Sequence, residues 1–163
     1  HDILYVSKVL KNKVMVIVLD NGSHKYVQEQ ADKLQRDISL ARREGYVVLI
    51  FQHEPISTGN PNDANKECIR KYQWEQADFY NVRIGNDVRD DKITRTVYKM
   101  ITENGDIIKG LFCGHVHSTF YTEVLASYVD SDNTRHNCVI PQTILVPSVY
   151  DDCAGHVMKI TVK

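Results

Sequence analysis

Three histidines stand at positions from which their side chains could bind a metal ion. His53 follows an apolar run that ends at Phe51, and His115 and His117 belong to a Gly-His-Val-His sequence at 114–117 that follows a second apolar run. In an extended segment, side chains at positions i and i+2 share a face, so His115 and His117 could both turn toward one point. Neutral imidazole is a good ligand for zinc, iron, nickel or copper, and it also accepts manganese. The residue types and spacing therefore indicate a metal site built from two chain segments.

The same histidines also allow a purely structural interpretation. An isolated His-x-His pair on a strand is usually part of the surface or of the core, and a single histidine before Glu54 and Pro55 indicates little by itself. Two features favour the metal site. Both histidine segments follow apolar runs, and Gly114 carries no side chain that would keep a ligand or a neighbouring backbone away. Glu54 could orient a ligand histidine from behind.

The elements that precede these histidines predict a sheet that would bring them together. A strand, an amphipathic helix and a second strand follow one another before His53, which is typical of a βαβ unit with parallel strands. We expect Ser23 to cap this helix and Gly45 to end it. In open α/β sheets, ligands bind at the carboxyl ends of the strands. The predicted strands cover 3–10, 14–19, 46–51, 107–113, 119–129, 143–147 and 156–162, and the predicted helices cover 24–44, 91–104 and, more weakly, 64–82.

Composition places the chain among ordinary globular domains. Its 163 residues suit one domain. The net charge of −1 and pI of about 6.7 give no general attraction to nucleic acid or anionic membranes. No apolar run reaches the roughly 18 residues needed to span a bilayer. The four cysteines lack the CxxC spacing of a zinc ribbon, so we expect free thiols, with a Cys138–Cys153 bridge as the alternative. The sequence leaves the cellular compartment open.

Three segments in this order resemble one protein family. Residues 16–20 read Val-Ile-Val-Leu-Asp, residues 48–55 read Val-Leu-Ile-Phe-Gln-His-Glu-Pro, and residues 110–117 read Gly-Leu-Phe-Cys-Gly-His-Val-His. They resemble, in turn, a strand that ends in Leu-Asp, a strand that ends in a metal-binding histidine near a proline, and the closing Gly-His-x-His motif of calcineurin-like metallophosphoesterases. That family includes the purple acid phosphatases and related nucleases. The resemblance runs through most of the chain.

The resemblance implies a fold, an activity and a set of ligands. The fold would be the C-terminal half of a four-layer α/β/β/α sandwich, with a mixed sheet and flanking helices. The activity would be hydrolysis of a phosphorylated substrate, a phosphomonoester or a phosphodiester, at a dinuclear metal centre. The cofactors would be two divalent or trivalent ions of manganese, zinc or iron. His53 and His115 would bind the second ion of the pair, and His117 would bind the first.

The sequence departs from the family pattern in its N-terminal motifs. The Asp-x-His and Gly-Asp-x-x-Asp motifs are absent, and the Gly-Asn-His-Asp motif could survive only as its last two residues, His1 and Asp2. His1 would then be the catalytic proton donor to the leaving group. We therefore expect 1–163 to be a single partial domain without the N-terminal metal-binding half, unable to form a competent dinuclear site alone. The missing half or a partner chain would cover the exposed sheet.

Two alternatives remain open at this stage. One is a catalytically inactive binding or scaffold module that keeps the fold. Such a module need not keep all three of His53, His115 and His117, yet all three are present. The other is a site for a single metal ion on an unrelated α/β protein. Metal stoichiometry separates the three possibilities.

Overall fold

The fold is a mixed α/β arrangement with one sheet, as seen in a computed structural model that describes residues 4–22, 25–56, 58–60, 92–115, 119–145 and 159–161. Within these residues the sheet has six strands in the spatial order β1-β2-β3-β4-β6-β5. The strands are β1 (Tyr5–Leu10), β2 (Val14–Leu19), β3 (Val47–Gln52), β4 (Ile108–Cys113), β5 (Phe120–Val129) and β6 (Arg135–Ile144), and the helices are α1 (Gln28–Glu44) and α2 (Lys92–Thr102).

The predicted βαβ unit is confirmed. Strand β2 pairs with β3 in parallel, β3 pairs with β4 in parallel, and β4 pairs with β6 in parallel. The two outer strands, β1 and β5, are antiparallel to their neighbours. Strands β3 and β4 are apolar at most positions because most of their residues are buried on both faces. Strand β2 is equally apolar but buries mainly one face, and Val18 on the other face is 43% exposed.

Helix α1 covers one face of the sheet with an apolar stripe. Ala31, Leu34, Ile38 and Ala41 are buried at the spacing of one helix face. Gly45 ends the helix in the left-handed conformation, with φ at 68°, and its N–H donates to the Ala41 carbonyl. The expected C-terminal stop is therefore confirmed.

The beginning of α1 differs from the prediction. The helix starts at Gln28 with Val27 as its N-cap, so the prediction that Ser23 caps it is wrong. Gln30 explains the later start. Its Oε1 accepts the Val27 N–H at 2.9 Å, and its Nε2 donates to the carbonyls of Leu4 and Asp20 at 2.7 and 2.6 Å. A side chain inside the first turn thus replaces the expected cap and ties the helix to the sheet.

The core lies between the sheet and the two helices. Met15, Ile17 and Ile50 contribute from the strands, and Val97 and Ile101 contribute from α2. The opposite face carries a row of apolar residues that pair across four strands: Val6, Val18, Phe51 and Phe112. The stacked rings of Phe51 and Phe112 have centroids 4.7 Å apart. Among the described residues, helices cover one face only, so the four-layer sandwich stays a prediction.

The C-terminal hairpin is longer than the sequence suggested. Strand β6 begins at Arg135, whereas the prediction placed a loop at 130–137 and a strand only from residue 143. Asp130 makes the turn compact, since its Oδ1 accepts the N–H groups of Asp132 and Thr134 at 2.9 and 2.8 Å. Residues 159–161 are not in a strand, contrary to the predicted strand at 156–162. The weak helix at 64–82 lies outside the described residues.

Two smaller predictions can also be compared with the structure. Cys113 and Cys138 are free thiols, so the alternative of a Cys138–Cys153 bridge is not what the structure shows. In the part of the chain that the structure describes, no helix is both long enough and apolar enough to cross a bilayer.

Candidate metal site

His53 and His115 lie at the same edge of the sheet, as the strand order requires. His53 directly follows β3, and His115 follows β4 by two residues. Because these strands are parallel neighbours, with Gln52 opposite Cys113, their carboxyl ends meet. The Gly114 N–H donates to the His53 carbonyl at 2.9 Å and extends the pairing beyond the strands. The expectation that the two histidine segments converge is therefore confirmed for His53 and His115.

The two imidazole rings face each other through nitrogen atoms. His53 Nε2 lies 3.0 Å from His115 Nδ1, and the rings meet edge to face at 86°. In the metal-free protein, this distance suits a hydrogen bond in which one ring donates its N–H to the other. It is also close to the separation of two nitrogen ligands of one ion: with bonds of about 2.0–2.1 Å, the nitrogens lie about 2.8–3.0 Å apart at the right angles of an octahedral ion and about 3.3–3.4 Å apart at the tetrahedral angle of zinc. The pair therefore fits one side of a metal site.

The backbone at His115 is not extended. Its φ of 68° lies in the left-handed region, which is uncommon for residues other than glycine, although asparagine, aspartate and histidine adopt it more often than the rest. The argument that His115 and His117 share a face assumed an extended chain, and that assumption is wrong at its first residue. His117 and His1 both lie outside the described residues, so their assignments stay predictions. The unusual conformation at His115 is consistent with a functional constraint on the ring position.

Gly114 is not required by close packing. A Cβ atom added there would lie 3.7 Å from the His53 carbonyl oxygen and 4.0 Å from that of Leu145, which is ordinary contact. The neighbouring backbone does lie close to Gly114, as a residue without a side chain allows, but an alanine would also fit there. Any need for glycine would have to come from a ligand.

An open depression lies beside His53. It measures about 520 Å³, and its lining includes Val18, Asp20, Phe51 and Phe112. Asp20 Oδ1 accepts the Gly22 N–H at 2.9 Å, which holds the carboxylate at the end of β2. A ligand in this depression would contact apolar strand residues below and the histidine above.

The structure also shows buried side-chain amides that sequence reasoning missed. Asn21, which follows the apolar run of β2, is fully buried and bonded to the backbone of Glu54. Gln52 and Gln142 are also buried, and Gln142 bonds to the backbone of Ile56. The sequence does carry one signal for these residues: amide side chains inside or just after apolar strands must find partners when they are buried.

Two other polar side chains near the site are buried. Burial raises the pKa of the Cys113 thiol, so in the metal-free protein this cysteine is protonated at neutral pH. The Glu54 side chain is fully buried, while His53 is exposed. Among the described residues, no group of three or more histidine, cysteine, aspartate or glutamate side chains is arranged to hold a metal ion. The described site is thus a pair of imidazoles.

Comparison with known proteins adds no assignment. No family model matches the chain, and no curated protein matches its sequence.

Proposed function

We propose that this chain carries one side of the metal centre of a calcineurin-like metallophosphoesterase, an enzyme that hydrolyses phosphomonoesters or phosphodiesters. The observation that supports this most directly is the 3.0 Å separation of His53 Nε2 and His115 Nδ1 at the carboxyl ends of parallel strands. The two histidines come from the two segments that resemble the family's metal-binding motifs. Two surface histidines that met by chance would not be expected to come from those two segments.

In this proposal the described residues hold the ion and shape the space beside it. His53 and His115 would each donate a neutral nitrogen to the second ion of the pair, and His117 would bind the first. Such ions polarise phosphoryl oxygens and lower the pKa of bound water toward neutrality. The depression lined by Val18, Phe51 and Phe112 would receive part of the substrate. His1 would serve as the proton donor to the leaving group.

The sequence contains neither the Asp-x-His nor the Gly-Asp-x-x-Asp motif that completes the centre in the family. We therefore expect the 163-residue chain to bind metal through its histidines but to hydrolyse phosphate esters poorly. Rapid hydrolysis of para-nitrophenyl phosphate by the purified chain with manganese supplied would contradict the view that the centre is incomplete.

Metal titration of the purified chain tests the site itself. We expect calorimetric binding of Zn²⁺ or Mn²⁺ to weaken about tenfold or more in His53→Ala and in His115→Ala, since each change removes one ligand. His136→Ala is the matched control, because His136 lies on the β5–β6 hairpin, where it pairs with Asp130 at 2.6 Å.

The number of ions bound distinguishes the possible functions. In an intact protein that also carries the N-terminal motifs, two ions per chain would support the dinuclear centre, and one ion would support a single-metal site. An absence of binding would favour the inactive binding module and would contradict the proposal.

A further inference from the structure

Buried amide side chains hold the segment that follows His53. Asn21, two residues after β2, accepts the Glu54 N–H on Oδ1 at 2.8 Å and donates from Nδ2 to the Glu54 carbonyl at 3.0 Å. Gln142, from β6, does the same for Ile56, accepting its N–H at 2.9 Å and donating to its carbonyl at 3.1 Å. Both amides are fully buried. Each supplies a pair of bonds that a neighbouring strand would supply inside a sheet.

Asn21 acts on the peptide unit that belongs to His53 itself. The His53 carbonyl and the Glu54 N–H lie in one rigid plane. The carbonyl accepts the Gly114 N–H at 2.9 Å, and the N–H donates to Asn21. Both polar groups of this plane are therefore fixed, one by the residue before His115 and the other by Asn21. The orientation of the plane sets ψ of His53 and thus where its ring points relative to His115.

Asn21 is in turn held by its own partners. Its Nδ2 lies 3.4 Å from the Tyr26 hydroxyl, which donates to Gln52 Oε1 at 2.9 Å. Gln52 Nε2 donates to the Glu54 carbonyl at 2.8 Å and closes the network. A buried network in which the polar groups are paired favours one geometry over its alternatives. Gln142 bonds three residues beyond His53, so it supports the same segment without holding the His53 peptide plane.

We propose that Asn21 is the positioning residue of the candidate metal site: by fixing the peptide plane between His53 and Glu54, it holds His53 Nε2 opposite His115 Nδ1. The expected effect of Asn21 on metal binding rests on the proposed function. Its effect on the geometry of the two rings does not, because that can be measured in the metal-free protein. Asn21 contacts neither a substrate nor an ion in this role.

The test compares Asn21→Ala with Gln142→Ala in the 163-residue chain. Both changes remove a fully buried amide and two backbone bonds, so we expect similar losses of urea stability. Only Asn21→Ala should separate the rings, seen by nuclear magnetic resonance as loss of the Overhauser contact between His53 and His115 in the metal-free protein. Only Asn21→Ala should weaken Co²⁺ binding, followed by visible absorption, by about tenfold or more, the usual effect of removing a group that orients a ligand.

The outcomes separate this inference from the proposed function. If the wild-type chain binds no Co²⁺, the proposed function fails, while the ring contact in the two variants still decides the role of Asn21. An unchanged ring contact in Asn21→Ala, or an equal loss in both variants, would overturn the inference. Asn21→Ser, which keeps a shorter polar side chain, replaces Asn21→Ala if that variant does not fold, and the same loss of contact is expected.

Discussion

At the scale of single residues, the site depends on polar side chains that are buried beneath an exposed histidine pair. Tyr26 shows how burial and hydrogen bonding act on one of these side chains. Its side chain is fully buried, and its hydroxyl donates to Gln52 at 2.9 Å. Burial is the largest cause that raises the pKa of Tyr26, and the neighbouring Cys113 adds to it. The neutral phenol is therefore the form that the folded state accommodates.

Tyr26→Phe should lower the free energy of unfolding by about 1–2 kcal/mol at neutral pH, since it leaves the buried Gln52 oxygen without this donor. The difference in free energy of unfolding between the wild type and Tyr26→Phe should become smaller at alkaline pH. The raised pKa of Tyr26 contributes stability that is complete below the unfolded value of about 10 and is lost as pH rises above it, and the variant has no such loss. Urea unfolding between about pH 7 and pH 11 measures both effects. Tyr121→Phe is the control, because Tyr121 is 71% exposed, and it should show neither effect.

At the scale of elements, two glycines at opposite edges of the sheet have different reasons to be glycine. Gly45 ends α1 with φ at 68°, while Gly114 has no such conformation and has room for a Cβ atom. We expect Gly45→Ala to cost about 1 kcal/mol, because a Cβ strains the left-handed conformation. Gly114→Ala should change stability little. Thermal and urea unfolding measure the stability of both variants. Equal losses of stability would contradict the explanation that the left-handed conformation makes Gly45, and not Gly114, sensitive to a Cβ atom.

The elements themselves were largely predictable from local pattern. Strand β2, the stripe on α1, strand β4 and the convergence of His53 with His115 follow from apolar periodicity and the parallel order of strands. The contacts that hold the His53 segment were not predictable. Asn21 reaches Glu54 across 33 residues, and Gln142 reaches Ile56 across 86. No local pattern encodes such pairs. The Gly-His-Val-His sequence does not specify the left-handed backbone of His115 either, although histidine is among the residues that adopt it more often than most.

At the scale of the whole molecule, the two faces of the sheet differ. The helices cover one face. On the other face, Ile160 and Thr161 lie beside a cavity of about 620 Å³ that is also lined by Val16 and Leu49. Leu49 is buried there, but apolar residues toward β1 remain about two-fifths exposed, among them Val6, Leu10 and Val18. Apolar surface of this kind favours association with another protein surface.

We call the sheet face opposite the two helices the open face. We expect the purified chain to self-associate through the open face, because burial of exposed apolar surface is favourable by about 25 cal/mol per Å². Val6 and Val9 offer a matched test on one strand. They are 42% and 43% exposed, but the alternation of β1 places Val6 beside Val18 on the open face and Val9 beside Met15 on the helix face. Val6→Lys should shift the chain toward monomer in sedimentation velocity, and Val9→Lys should not, although each replaces a valine of similar exposure. A wild-type chain that is monomeric at high concentration, or an equal response of the two variants, would show that the open face does not drive association.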